Sequence, residues 1–384
     1  MRKRTWLAAA GGSLLAATLG VFGAAASASA SPASPVTGYT YVNGNTATVN
    51  AIAGFARHAD GSLTPIAGSP FAIGGAGLGA GLGSQGAIQA TGDGRYLLAD
   101  DAGSNQVSVL RVTAGGVPVQ VGQPVASGGI EPVSVAVSPD GVVYVANKGN
   151  ATSGAGLSGF RLGPGGTLTP IPGAAYAAPA GSGPADVLFN STGTSLVATL
   201  VNTSQIESYT VLPGGRLLAA PDSPFAGQGL GQLGAEFRPT NPAQLFVTNA
   251  HNGTGLGTVS AYSDNFRGQL TPIGSSPYPD GQTAPCWVEI SHDGRYLFAV
   301  NTGSGTISSY SISPRGSLTL IGATPISGGG ADTDARLSPD GKYLLVDGAG
   351  MHFISVTTIV AVAAAAGAAM IDRAGRGHGT GRLG

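Results

Sequence analysis

Short apolar segments separated by polar turns recur along most of this chain. Each unit keeps one order: an apolar strand, a Pro-Asp-Gly-like turn, a second strand carrying an aromatic, an Asn/Gly loop, a third strand, a glycine turn, and a segment close to Leu-Thr-Pro-Ile. The first turn is visible as Gly92-Asp93-Gly94, Pro139-Asp140-Gly141, Ser191-Thr192-Gly193, His292-Asp293-Gly294 and Pro339-Asp340-Gly341. Their last glycines lie 47, 52, 101 and 47 residues apart; the 101 spans two units, because the copy between, Pro239-Thr240-Asn241-Pro242, lacks the glycine. A fixed period of this size is the mark of a repeat architecture.

The segments after the turn, such as Tyr96-Leu97-Leu98-Ala99, Leu245-Phe246-Val247-Thr248 and Tyr343-Leu344-Leu345-Val346, are rich in β-branched and aromatic residues and are predicted strands. Polar and apolar residues alternate in Val107-Ser108-Val109-Leu110 and Ile307-Ser308-Ser309-Tyr310, the third strands. The fourth strands read Leu63-Thr64-Pro65-Ile66, Leu168-Thr169-Pro170-Ile171, Leu270-Thr271-Pro272-Ile273 and Leu318-Thr319-Leu320-Ile321. Proline removes a ladder donor, so this strand belongs at a sheet edge. Four strands per unit with an outer edge proline predict an all-β, seven-bladed β-propeller of four-stranded blades. First strands are expected near Gly86, Val133, Ala185, Leu233, Cys286 and Thr333, and Tyr39 to Ile66 supplies the last three strands of one more blade. The missing strand of that blade has to come from the C-terminus. There a third strand is expected within Phe353 to Val362, with no Leu-Thr-Pro segment behind it, so the closure of blade seven is incomplete in the pattern.

Both ends depart from the repeat. Arg2, Lys3 and Arg4 precede an apolar stretch from Trp6 to Ala26, followed by Ala26-Ser27-Ala28 and Ala28-Ser29-Ala30, which fit small-x-small cleavage sites. Residues 1–30 are therefore expected to be a signal peptide, with an uncleaved anchor as the alternative, and the protein to be secreted or extracytoplasmic. The propeller is assigned to 31–362 and an Ala/Gly-rich basic tail to 363–384. Phe353 to Ile371 with Arg373, Arg376 and Arg382 behind it reads equally as a membrane anchor, a degenerate closing strand or an aberrant ending.

Gly at 65 and Pro at 25 would suggest disorder, but 42% apolar residues, 10% charged residues and a mean hydropathy of +0.20 supply a core instead. The net charge of −1 comes from 18 basic and 19 acidic side chains without long runs, which leaves no basic footprint and excludes nucleic acid as a partner. The single cysteine, Cys286, forms no intramolecular disulfide and lies in no Cys/His cluster; no metal and no cofactor are expected, and the chain is expected to be a monomer. Gly74 to Gly81 precedes no helix, so it reads as a flexible surface loop rather than a phosphate-binding one.

Candidate chemistry comes from the inner strands. By period two, one face is apolar: Val135 and Val137, Val187 and Phe189, Ala235 and Phe237, Val288 and Ile290, Ala335 and Leu337. The other carries Asp186, Glu236 and Arg238, Glu289, and Asp334 and Arg336. Glu236, Glu289 and Arg336 fall at equivalent positions of three consecutive blades and are the candidate catalytic set, with a carboxylate as general base and Arg336 facing developing charge on oxygen. A Glu-Arg-Glu bridge that satisfies buried charges would explain the same pattern without a substrate. Asp186, Asp334 and the loop residue His251 are candidate ligand-binding residues.

From about Tyr39 to Gly350 the repeat resembles the bacterial seven-bladed lactonase family, which includes 6-phosphogluconolactonase-like and carboxymuconate-cyclase-like propellers. The likeness is carried by Pro132 to Gly141, by Ala284-Pro285-Cys286-Trp287-Val288 and by Ala299-Val300-Asn301-Thr302-Gly303-Ser304-Gly305-Thr306-Ile307-Ser308. It implies hydrolysis of a lactone in the central channel, by an Arg-His pair opening one inner strand and a Glu in a following loop. Where sugar-lactonase members read Gly-Pro-Arg-His, this chain has Gly183-Pro184-Ala185-Asp186, and the place of the Glu falls near Val201. Two function classes follow: an exported enzyme hydrolysing or isomerising a small-molecule lactone, or a non-catalytic propeller binding a cell-envelope ligand or protein through its loops.

Overall fold

The computed structural model describes residues 34–265, 267–326, 332–348 and 353–358. The leader reading over 1–30 and the readings of the tail lie outside these residues. Every regular element within them is a β-strand. The strands form seven antiparallel sheets; six have four or five strands and the last has three. Inner strands run over Ile88–Ala90, Pro132–Val137, Pro184–Phe189, Gln232–Arg238, Pro285–Ile290 and Asp332–Leu337, opening blades two to seven. Blade one is built from Val36–Asn43, Ala51–His58 and Leu63–Pro65, the last three positions of the repeat, as its sequence predicts. Blade seven holds Asp332–Leu337, Tyr343–Gly348 and Phe353–Thr358; the strand expected up to Val362 is described to Thr358. The edge prolines sit where the ladder argument puts them: Pro65, Pro170 and Pro272 pair outward strands with Phe55, Phe160 and Tyr262.

The blades are joined by side chains from both faces. The apolar inner-strand face is buried: Val135, Val187, Ala235, Phe237, Val288, Ile290, Ala335 and Leu337 all lie in the core. Val288 and Ile290 of blade six, for instance, pack with Phe246, Val259 and Ala261 of blade five. The repeated aromatic of the second strand also has a second task, for its hydroxyl reaches the glycine turn of the next blade. Tyr41 donates to Gly116 O at 2.6 Å, Tyr96 to Pro164 O at 2.9 Å and Tyr144 to Gly215 O at 2.7 Å. Blade five has no tyrosine there, and Gln244 donates to Pro314 O instead, at 3.2 Å.

The same latch closes the ring. Tyr343 of blade seven donates to Ala59 O of blade one at 3.3 Å, and the buried Arg57 pairs with Asp340 of the blade-seven turn at 3.3 Å. Beneath the Tyr343 ring lies Gly61, with φ +86°, where a Cβ would collide with the ring. Gly61→Ala combines a left-handed residue with overpacking and is expected to cost about 2–4 kcal/mol. Urea unfolding is the measurement; an unchanged midpoint would show that the first and last blades are not held together here.

The Gly74 to Gly81 segment is not a loose loop. Asn50 N donates to Gly75 O, Gly77 N to Thr46 O and Gly79 N to Asn45 O, all at 2.7–2.8 Å. A Cβ on Gly77 would overlap the Asn45 backbone, so the glycines serve close backbone approach.

Candidate functional site

An inner strand is the edge of its sheet on the channel side, so its outward N–H groups find no ladder partner and need another acceptor. The preceding blade supplies it. Ser134 Oγ accepts from Val187 N at 3.1 Å, Asp186 Oδ2 accepts from Ala235 N at 2.9 Å, and Glu289 Oε2 accepts from Leu337 N at 3.3 Å. The polar inner-strand residues thus cap the next blade, which explains why polar groups recur at these positions.

In blade six the acceptor comes from elsewhere. Gln85, just before the blade-two inner strand, accepts from Val288 N at 3.0 Å and donates to Val288 O at 3.2 Å and Ala235 O at 3.4 Å. Its backbone N–H donates to Ala185 O at 3.1 Å, and Trp287 Nε1 donates to Ser84 O at 3.0 Å. Ser84 and Gln85 therefore cross the axis and tie the starts of three inner strands together.

Against this segment lies a pocket of about 300 Å³, lined by Gln85, Gln89, Asp186, Glu236 and Arg336 and rimmed by the turn residues Gly92, Ser138, Pro139 and Ser191. Its mouth is at the turn between first and second strands. The volume suits a small molecule, at the low end of the roughly 300–1,000 Å³ of ligand sites.

The candidate charges do not form one bridge. Arg336 Nη1 pairs with Glu289 Oε1 at 3.0 Å, with Glu289 buried and Arg336 half exposed to the channel. Arg336 Nη2 also approaches Gln89 Oε1, at 3.5 Å. The Glu289 carboxylate beside it holds the guanidinium firmly in its charged form. Glu236, at the equivalent position one blade earlier, lines the pocket with no hydrogen-bond partner for its carboxylate among the described residues. Desolvation, then the nearby Glu289, pushes its ionisation well above the usual carboxylate range, against the pull of Arg336. Glu289 is also raised, by burial, with Arg336 opposing.

Asp186 lines the pocket, and Asp334 lies close enough to act on it electrostatically. Burial drives Asp186 up to about 8, partly offset by the Ala235 N–H, and Ser134 Oγ donates to it at 3.2 Å. Asp334 is pushed up to about 6, again by desolvation, against Arg336; it accepts from Ala335 N at 2.8 Å and from Gly86 N at 3.3 Å. Between the usual carboxyl range near 4 and about 8, folded Asp186 keeps a proton that the unfolded chain releases. Its contribution is full below that range and is lost as pH rises through it. Asp186→Asn is therefore expected to melt higher than the parent at pH 8, with the difference closing toward pH 4; calorimetric melting across that range checks this, and a constant difference would refute it.

Three other candidates lie elsewhere. His251 is in the loop after the second strand of blade five, its N–H donating to Leu230 O at 2.9 Å, and does not line the pocket. Arg238 is displaced from the charged face by a register shift after Phe237. Its guanidinium donates to Gly294 O at 2.7 Å, Gln244 Oε1 at 2.8 Å and Ser313 O at 2.9 Å, bridging blades five and six. Cys286 is buried with Trp287 in a core cluster. Among the described residues no group of three or more His, Cys, Asp or Glu is placed to hold a metal ion.

The comparisons with known proteins agree with this architecture. The family model described as Lactonase, 7-bladed beta-propeller, matches residues 242–375, which bears out the resemblance in the repeat. No curated protein matches the chain. Among solved structures, a candidate 6-phosphogluconolactonase from Bacteroides uniformis is 21% identical with a TM-score of 0.65, covering 80% of this chain and 87% of its own. A second, from Bacteroides fragilis, is 18% identical with a TM-score of 0.62, covering 83% and 90%. The periplasmic gluconolactonase of Pseudomonas aeruginosa is 18% identical with a TM-score of 0.66, covering 83% and 92%. At these identities the likeness is one of fold: this chain has the lactonase-like propeller fold. Asp186 stands where the resemblance gives His, while Ala185, in the place of the Arg, and Val201, near the place of the Glu, are buried in one core cluster.

Proposed function

We propose that this lactonase-type propeller hydrolyses a small lactone in the pocket beneath Gln85, with Glu236 as general base and Arg336 as the oxyanion partner. One observation carries this: among the inner-strand carboxylates, Asp186, Glu289 and Asp334 are engaged with backbone N–H groups, whereas Glu236 meets the pocket unbonded. A carboxylate that caps nothing, and whose ionisation burial raises well above the usual carboxylate range, is a stronger base than an ordinary glutamate once ionised and is suited to taking a proton from water. The water oxygen then attacks the lactone carbonyl carbon while its proton passes to Glu236. Arg336 has N–H groups beyond those turned to Glu289 and Gln89, and these receive the tetrahedral oxyanion. The ring C–O bond breaks, the leaving alkoxide recovers the proton from Glu236, and a hydroxy acid results. Support for the substrate class comes from the similar solved structures, two of them described as candidate 6-phosphogluconolactonases and one as a gluconolactonase. The expected signal peptide would place this chemistry outside the cytoplasm. Acid release from a panel of sugar and other lactones, followed at constant pH, is the test; no release above the spontaneous rate from any of them rejects hydrolysis.

A further inference from the structure

Among the described residues the pocket has no cation to spare for an anionic substituent on the substrate. Arg336 is the one cation in the wall among the described residues; Glu289 holds it at 3.0 Å, and the N–H groups it has left are those assigned above to the lactone oxygen. Asp186 and Glu236 stand in the wall itself, and Asp334 and Glu289 lie close enough to act on them electrostatically. The rest of the polar lining is uncharged: the amides of Gln85, Gln89 and Asn190 and the hydroxyls of Ser138 and Ser191. Phosphate and carboxylate groups are bound through cations or clustered N–H donors; a wall carboxyl that keeps its proton offers a single O–H, and one that loses it sets a like charge against the anion. Amides and hydroxyls suit sugar hydroxyls, which both donate and accept.

We infer that the pocket takes an uncharged, hydroxyl-bearing lactone and excludes phosphorylated and carboxylated ones. This rests on the hydrolytic function proposed above, and binding separates the two. Calorimetric titration of the full chain at neutral pH uses glucose and glucose 6-phosphate as stable pyranose probes, beside turnover of the corresponding lactones. Glucose is expected to bind on the order of 100-fold more tightly than its phosphate. In Glu289→Gln, which frees the Arg336 charge, that ratio is expected to shrink about tenfold. Equal or tighter binding of glucose 6-phosphate overturns the inference, as does the absence of binding by either sugar. Preferred binding of glucose without lactone turnover upholds the inference while rejecting hydrolysis.

Discussion

Glu236→Gln is expected to lower lactone turnover by at least about 100-fold, the loss typical of removing a positioned general base. The amide keeps the size of the side chain and removes only its proton-accepting charge. Because the Glu236 carboxylate bonds to no backbone group among the described residues, the substitution breaks no strand cap, and the variant is expected to melt no lower than the parent. The pH profile gives an independent reading. The base acts only when ionised, so activity must fall as pH drops through the Glu236 ionisation, which burial and Glu289 set well above the usual carboxylate range. The acid limb of kcat/KM should therefore lie above the range of an ordinary glutamate and vanish in the variant's residual activity. An unaltered rate in Glu236→Gln, or an acid limb at an ordinary carboxylate position, removes Glu236 from the reaction.

The fold was legible because each of its requirements repeats. The Pro-Asp-Gly turn, the aromatic of the second strand and the edge proline each answer one geometric demand of a blade, and the demand returns every 47 to 52 residues. The aromatic shows how such a signal carries more than it announces: Tyr96 and Tyr144 read as strand formers, yet the hydroxyls that latch the next blade explain why tyrosine stands there. The site was legible only to the level of equivalent positions. Period two aligned Glu236 with Glu289, but which carboxylate finds a neighbouring N–H depends on the offset between blades, and sequence does not encode that offset locally. Arg238 left the charged face for a similar reason, since a register shift after Phe237 interrupts the alternation. Gln85 had no signal at all. It is a lone amide in a glycine-rich connection, and its partner Val288 is 203 residues away.

Arg336→Gln tests the other half of the pair, and its effects on stability and rate should separate. Without the guanidinium, Glu289 stays buried, with a side chain 7% exposed and the Leu337 N–H as its remaining partner at 3.3 Å. Stranding a buried partner costs about 3–5 kcal/mol when both charges are buried. Here the Arg336 side chain is 48% exposed, so solvent already screens the pair and roughly 1–3 kcal/mol is the better expectation. The lost stability should also become pH-dependent. With its only strong opposing charge gone, Glu289 ionises at still higher pH, so the folded chain holds a proton the unfolded chain releases, and stability falls as pH rises. Adding Glu289→Gln removes the stranded charge, and the double variant should regain most of the lost urea midpoint. It should not regain activity, because the oxyanion partner is still missing, and turnover should stay about 100-fold down. If the double variant is no more stable than Arg336→Gln, Glu289 and Arg336 are not coupled in the folded chain. If it regains turnover, the guanidinium serves only to neutralise Glu289 and the oxyanion must be met by another group.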